Sequence, residues 1–460
     1  MKNIFMSEES IEKKIHKVYF FLALFIGMVF SLAMPLFSEP DGMFHYTVST
    51  NMAHLSNDLS AYGETRIGTN FTTQVESYQQ GNVFEKYYKN EIKEMPMKDL
   101  PRESSFPSLI NYNFWGHLVP ALGVTVGHAV YPSIGVMIVF ARLISVLIYS
   151  IAMFFIIRWV KVGKLLFFAV SLSPVIVSSF ASLSYDSLTY VITAFTLALA
   201  INIMEKHKVE KSDFILMILS ILALALGAKT NTKILAILPP LAMFVTYLKN
   251  KNVKLTFIER IKKREISVWK WIVSFIIFIL ASFVIITIIR PTVAFTLSRI
   301  FISFSINISP GLDVSNVFQS LLVAPFATIN NVPYWVSAIW YVLLVLILFS
   351  EKKYISSPLV AYSALFLFLV GILAVYYSYA TYIGGGGTEV SQKRFIGAID
   401  GLQGRYFTPT LLLLSLFVGY EKFSFKIKPH PFITVFAIIV IFLSNGALLF
   451  GTLFGFYYLS

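Results

Sequence analysis

Five ionisable residues stand where apolar runs of the chain begin or end, and their types suit one kind of chemistry. Asp41 and His45 lie in Glu39-Pro40-Asp41-Gly42-Met43-Phe44-His45, Asp186 in Ser184-Tyr185-Asp186-Ser187, Lys229 in Gly227-Ala228-Lys229-Thr230-Asn231, and Arg405 in Gln403-Gly404-Arg405-Tyr406-Phe407. A carboxylate can take a proton from a hydroxyl, and a cation can hold a departing anion. One acid with one or two cations therefore suffices for group transfer when the leaving group is already an anion. Arg405 is always charged, and its planar fork matches a phosphate or an anionic lipid headgroup. Asp41 and His45 are four residues apart and share a face if their segment is helical. Each residue also has a plainer reading as an interfacial anchor or helix cap, which for Asp41 and His45 would open a short amphipathic helix from Met43 to Leu55. The chain has no cysteine, so disulfides, thiolate nucleophiles and Cys-ligated zinc are excluded. No cofactor is implied, and no metal-ligand set is evident.

These residues sit in a chain of 460 residues, 57% apolar and only 13% charged. Soluble domains carry about a quarter charged residues, so the composition specifies an integral membrane protein and excludes soluble enzyme folds. A span takes roughly 20 apolar residues. Runs near Val18–Phe37, Ile134–Ile157, Leu165–Leu183, Ser187–Met204, Phe214–Gly227, Ile234–Tyr247, Trp271–Ile289, Trp335–Phe349, Leu359–Tyr377, Phe407–Val418 and Ile433–Phe456 give an all-α, polytopic domain of about eleven transmembrane helices over 1–460. The first run follows Lys13, Lys14 and Lys17 and is long for a signal peptide, so it reads as an uncleaved span. The stretch 38–107 forms one large loop between the first two spans. No internal repeat is evident, nor an inverted pair of broken spans of the kind carriers use.

Lys and Arg alternate from one connection to the next. Those assigned to one side, from Lys2 to Lys428, number 23, whereas the other side holds seven outside the large loop. The positive-inside rule then makes the N-terminus cytoplasmic, the 38–107 loop external and Ser460 external. The basic loop 249–270 accounts for much of the formal net charge of +13 and reads as an anchor beside anionic lipid, not as a nucleic-acid site. All five ionisable residues fall on the external face. The glycine run 384–387 lacks the Lys and Ser/Thr of a phosphate cradle and reads as a mobile external loop. Tyr376, Tyr377, Tyr379 and Tyr382 fit an interfacial belt as well as a sugar-stacking surface.

Taken together, Pro40-Asp41 with His45, the Ser-Tyr-Asp-Ser turn, Lys229 closing a span and Gln403-Gly404-Arg405-Tyr406-Phe407 resemble the bacterial multi-pass family known as domain of unknown function 2142. Arg142, in Phe140-Ala141-Arg142-Leu143, is similar to an arginine such proteins carry in their second span. That family in turn resembles the GT-C superfamily of membrane glycosyltransferases. The resemblance implies transfer of a sugar from a polyprenyl-phosphate carrier to a glycan or glycopolymer acceptor at the outer face of a bacterial plasma membrane. Asp41 would be the base, and His45 would contact the phosphate or orient Asp41. Arg405 and Lys229 would hold the phosphate, with Asp186, Gln403 and Tyr406 in the substrate site. A retaining reaction would require a second carboxylate close by, which Asp186 supplies only if folding brings it near. Where the family pattern often has a second acid after the aspartate this chain has Gly42, which argues against a paired-carboxylate or metal site. Two other readings are a transporter or flippase for lipid-linked glycans and a non-catalytic partner protein of the same fold. A flippase would be expected to place ionisable groups along its span interiors, where Arg142 is the sole Lys or Arg.

The topology is open to direct measurement in this cysteine-free chain. A cysteine placed at Gln79 should react with a membrane-impermeant thiol reagent in intact cells, and one at Lys262 should not; the reverse pattern would invert the map.

Overall fold

The computed structural model describes residues 8–55, 107–206, 208–251, 268–306, 314–326, 330–381, 399, 402–423, 425, 427 and 431–454. The large loop beyond Leu55, most of the basic loop, the glycine run, Tyr382 and Ser460 lie outside them. A backbone crossing hydrocarbon must satisfy its own hydrogen bonds, and the described chain is accordingly helical. The helices are α1 (Glu8–Ala33), α2 (Gly42–Met52), α3 (Tyr112–Val130), α4 (Ile134–Trp159), α5 (Lys164–Ser171), α6 (Pro174–Phe180), α7 (Asp186–Glu205), α8 (Lys211–Gly227), α9 (Leu238–Asn250), α10 (Val268–Ile289), α11 (Pro291–Ile306), α12 (Val314–Leu322), α13 (Tyr334–Ser350), α14 (Pro358–Thr381), α15 (Leu414–Val418) and α16 (Pro431–Phe454). Tighter 3-10 turns cover Thr230–Ile237, Gly404–Tyr406 and Thr408–Leu413.

Among the described residues six helical stretches are long and apolar enough to cross a bilayer alone: Lys14–Ala33, Ile134–Trp159, Asp186–Glu205, Thr230–Asn250, Pro358–Thr381 and Pro431–Phe454. Shorter apolar helices, among them Tyr334–Ser350, add to them, and the chain is a multi-pass membrane protein.

Three of the expected spans are not continuous α-helices. The run Leu165–Leu183 breaks at Leu172-Ser173 ahead of Pro174, which starts α6. The run Ile234–Tyr247 begins as a 3-10 turn and becomes α-helical only at Leu238, with Pro239 in the first turn. The run Phe407–Val418 is 3-10 around Pro409 before the short α15. Proline lacks the N–H that continues a helix and is best tolerated in the first turn. Continuous apolar runs thus conceal broken helices, and the segments beside the three interruptions, at Ser179, Thr232 and Pro409, line one narrow cleft. Helix α3, beside the apolar runs, was not expected at all.

The polar contacts sort the turns into two groups. At one end Lys352 pairs with Glu205 (2.6 Å), Lys206 with Asp213 (2.8 Å), and Tyr354 and Ile355 bond the Gly419 carbonyl. At the other end Asp41, Asp186, Lys229 and Arg405 converge. The main apolar core fills the bundle between them, and two smaller clusters flank the second end. One joins Phe37, Tyr46, Val124 and Met137, the other Ile300, Tyr376, Leu402 and Phe407.

Arg142 ties the first flank to the bundle. It is 1% exposed and donates to the Met34 carbonyl (2.8 Å), the Pro35 carbonyl (3.0 Å) and Glu39 Oε2 (2.8 Å). It therefore grips two carbonyls of the turn that follows α1 and fixes the path that leads to Asp41. Removing one partner of such a pair strands the other charge in a dry site, at a cost of about 3–5 kcal/mol, whereas an apolar pair of similar volume is often tolerated. Arg142→Met alone should lower the thermal unfolding midpoint in detergent sharply, and combining it with Glu39→Leu should restore part of the loss.

Candidate functional site

Arg405 reaches the site because its loop lies directly on another helix. A Cβ at Gly404 would clash with the Val317 carbonyl oxygen and the Leu321 nitrogen, so only glycine lets the 403–407 loop seat against α12. The Gly404 N–H donates to Ser320 Oγ (2.6 Å), and Thr408 Oγ1 donates to the Leu321 carbonyl (2.5 Å). Arg405 itself is buried. Its Nε donates to Gln403 Oε1 (2.6 Å), Nη1 to Asp186 Oδ2 (2.9 Å), and Nη2 approaches the Tyr406 hydroxyl (3.3 Å) and Asp41 Oδ2 (3.4 Å). It is held inside the fold and is not a headgroup anchor at the surface.

Asp186 is the first residue of α7, where a carboxylate complements the helix dipole. Ser184 Oγ accepts its N–H, and its other oxygen, Oδ1, lies 2.5 Å from Lys229 Nζ. The Lys229 ammonium is also bracketed by the rings of Tyr185 and Tyr406, whose centroids lie 4.5 and 4.4 Å away. Such a cation–π sandwich leaves the lysine little freedom. Asn231 Nδ2 donates to the Tyr406 carbonyl (3.1 Å), and Tyr379 and Tyr406 share a hydroxyl–hydroxyl bond of 2.8 Å. One carboxylate thus serves two cations from two other turns.

Asp41 occupies the N-cap position of α2, yet its side chain makes no capping bond. Its backbone is left-handed, with φ of 58°, a conformation aspartate tolerates better than most residues. The side chain is 58% exposed and turned toward Arg405. Gly42 follows for a steric reason: a Cβ there would press at 3.1 Å on both the Glu39 side chain and the Phe37 backbone. A second acid at this position would have to displace Glu39, which Arg142 holds.

His45, one turn into α2, does not share the exposure of Asp41. It is 1% exposed and hydrogen-bonds through Nδ1 to His117 Nε2 of α3 (2.8 Å). Tyr185 stands edge-on to both imidazoles, at 4.7 Å from His45 and 5.6 Å from His117. Burial holds both histidines neutral. It pushes His117 down to about 4 against the opposing pull of the Asn113 carbonyl and Asp186, and with the neighbouring His117 it pushes His45 well below the ordinary range.

Asp41, Asp186, Lys229, Gln403, Arg405 and Tyr406, picked out from four separate segments, come together in one cluster, and His45 lies in its wall. His117 had not been singled out. The signal was present as a histidine beside Gly116 in an otherwise apolar stretch. A narrow cleft beside the cluster is lined by Ser179, Asp186, Thr189, Lys229, Asn231, Arg405 and Tyr406; Asp41 is not on its wall. Among the described residues no group of three His, Asp or Glu side chains is placed to hold a metal ion.

A family model described as a predicted membrane protein, DUF2142, matches residues 24–414, which include every one of these residues. The chain belongs to the DUF2142 family. Comparison with curated proteins and with solved structures gives no match. In this DUF2142 protein the matched span opens inside α1 and closes at the start of α15, so it covers the cluster and the core beneath it and leaves out α16.

The two histidines make a pH prediction whose sign is fixed. Their protonation is favoured in the unfolded chain, near pH 6.5, and resisted in the folded one. The unfolded state therefore binds more protons as pH falls, and stability that is complete above about 6.5 declines toward pH 4. Thermal unfolding in detergent should show a lower midpoint at pH 5 than at pH 7.5, and a His45→Phe, His117→Leu double variant should lose most of that dependence.

Proposed function

We propose that this protein is a membrane glycosyltransferase that moves a sugar from a polyprenyl-phosphate carrier to a glycan acceptor at the outer face of a bacterial plasma membrane. The observation that carries the reading is an uneven pairing of two cations with two carboxylates. Asp186 neutralises only one of Lys229 and Arg405, and the remaining positive charge meets a single exposed, loosely held counterion, Asp41 at 3.4 Å. A phosphate is a stronger partner for the guanidinium than this long contact. In our reading the donor phosphate takes Asp41's place on Arg405, and Asp41 is released beside the sugar. Asp41 then accepts the proton of the acceptor hydroxyl while the acceptor oxygen bonds to the sugar's anomeric carbon. The bond from that carbon to the phosphate oxygen breaks, and the polyprenyl phosphate leaves as an anion held by Arg405. Lys229, caged by two rings, and Asp186 keep Arg405 in place. The narrow cleft must widen for the sugar to enter.

A carrier for lipid-linked glycans is the second reading. It is favoured by the interrupted helices around the cleft, since discontinuous spans commonly form transporter sites. Detergent solution separates the two, because transfer needs no sealed compartment and transport does. With polyprenyl-phosphate sugar in micelles, Asp41→Asn should reduce transfer about 10²- to 10⁴-fold. Arg405→Ala should raise the donor concentration needed more than Arg405→Lys does. Absence of transfer in micelles by the parent, with flipping in proteoliposomes, would replace the first reading by the second.

A further inference from the structure

The proposed transfer leaves His45 and His117 without a role, yet the hydrogen bonds between them fix the protons on both rings. His117 Nδ1 lies 2.6 Å from the Asn113 carbonyl oxygen. A carbonyl only accepts, so Nδ1 carries the proton, and in a neutral imidazole Nε2 is then a bare acceptor. His45 Nδ1 lies 2.8 Å from that Nε2 and must be its donor. It follows that His45 Nε2 is also a bare acceptor. This atom is buried and has no hydrogen-bond partner among the described residues.

A buried acceptor left unmade costs roughly 1–3 kcal/mol, so the arrangement is explained if a ligand completes it. The chemistry of that ligand is constrained. A lone pair repels an oxyanion, which excludes the phosphate itself. A metal ion would need further ligands, and among the described residues no such group is present. What remains is a neutral donor, and a hydroxyl fits. The charged groups that act on His45 are those of the proposed transfer site, Asp186 on α7, Lys229 ahead of its 3-10 turn and Arg405 on its loop, with His117 on α3 behind it. Tyr185 touches both histidines and Lys229, so it links the pair to the cluster.

We propose that His45 Nε2 accepts a hydrogen bond from a hydroxyl of the sugar substrate, and that His117, backed by the Asn113 carbonyl, is the positioning residue that keeps His45 in the required tautomer. That the hydroxyl belongs to a sugar rests on the glycosyl-transfer reading; that it is a neutral hydroxyl does not. His45 therefore selects what the phosphate site cannot, the pattern of hydroxyls on the transferred group.

The test has one arm without catalysis and one with it. Full-length protein in nanodiscs, with isotope-labelled histidine assigned through His45→Gln, should give an unprotonated, non-bonded Nε2 signal for His45 at pH 7.5. Methyl hexosides at rising concentration should shift that signal toward the hydrogen-bonded position, and dimethyl phosphate, a phosphate diester with no hydroxyl to donate, should not. In transfer assays His45→Phe should cost roughly 10-fold in apparent donor affinity, His45→Gln should recover part of it, and His117→Phe should move the acid limb of the pH profile. A protonated Nε2 at pH 7.5, or a shift with dimethyl phosphate but with none of the hexosides, overturns the proposal. So does parental donor affinity in His45→Phe. Should the substituted proteins fail to insert, the parent's response to hexosides and dimethyl phosphate decides alone. If the parent transfers no sugar but its Nε2 responds to hexosides, the transfer reading falls and the hydroxyl site stands.

Discussion

The carboxylate of Asp186 is shared by two cations, and most of the site's geometry follows from that. At a bilayer boundary an unpaired buried charge is costly, so Lys229 and Arg405 are confined to the two oxygens of one small side chain. Three turns distant in sequence, around residues 184–186, 227–231 and 403–406, are drawn to a common point. The tyrosines then close around the lysine. Because the carboxylate is already spent on two partners, only one edge of the Arg405 guanidinium is left to face Asp41.

Asp41 depends on a second restraint of a different kind. Arg142 has no role in the cluster, but it binds two carbonyls of the turn that follows α1 and the Glu39 carboxylate, so the chain must turn within a few residues and enters α2 through a left-handed aspartate. The absence of a side chain at Gly42 is part of that turn. What looked in the sequence like a missing second acid is the space that Glu39 and Phe37 fill. Two ion pairs thus divide the labour, one gathering the cations and the other presenting the acid.

Much of this was legible in the sequence, because hydrophobic length and charge alternation are local properties that a bilayer enforces residue by residue. Ionisable groups at span ends are few in such a chain, so Asp41, Asp186, Lys229 and Arg405 could be singled out without knowing that they meet. The breaks at Pro174, Pro239 and Pro409 fall inside runs whose apolar character continues across them, although the prolines themselves mark them. Helix α3 was missed because glycines and two histidines dilute its apolar run. The inward turn of His45 depends on His117, which lies 72 residues away, and no local pattern reports such a partner. Nor could spacing tell that Asp186 faces two cations, since only tertiary structure fixes its neighbours.

The seat of Gly404 on α12 bears on how such a sequence can change. The closest approach is between main-chain atoms, with the Val317 carbonyl and the Leu321 nitrogen against a residue that has no side chain, and the Ser320 hydroxyl accepts the Gly404 N–H beside it. Nothing in it reads the identity of the residues at 317 or 321. The side chains there answer to a different demand, since Val317 and Leu321 pack into the apolar cluster around Ile300 and Phe407, so the path of the loop and the packing beneath it rest on separate atoms of the same residues. A side chain at 404 would therefore move the guanidinium without disturbing any residue that touches it.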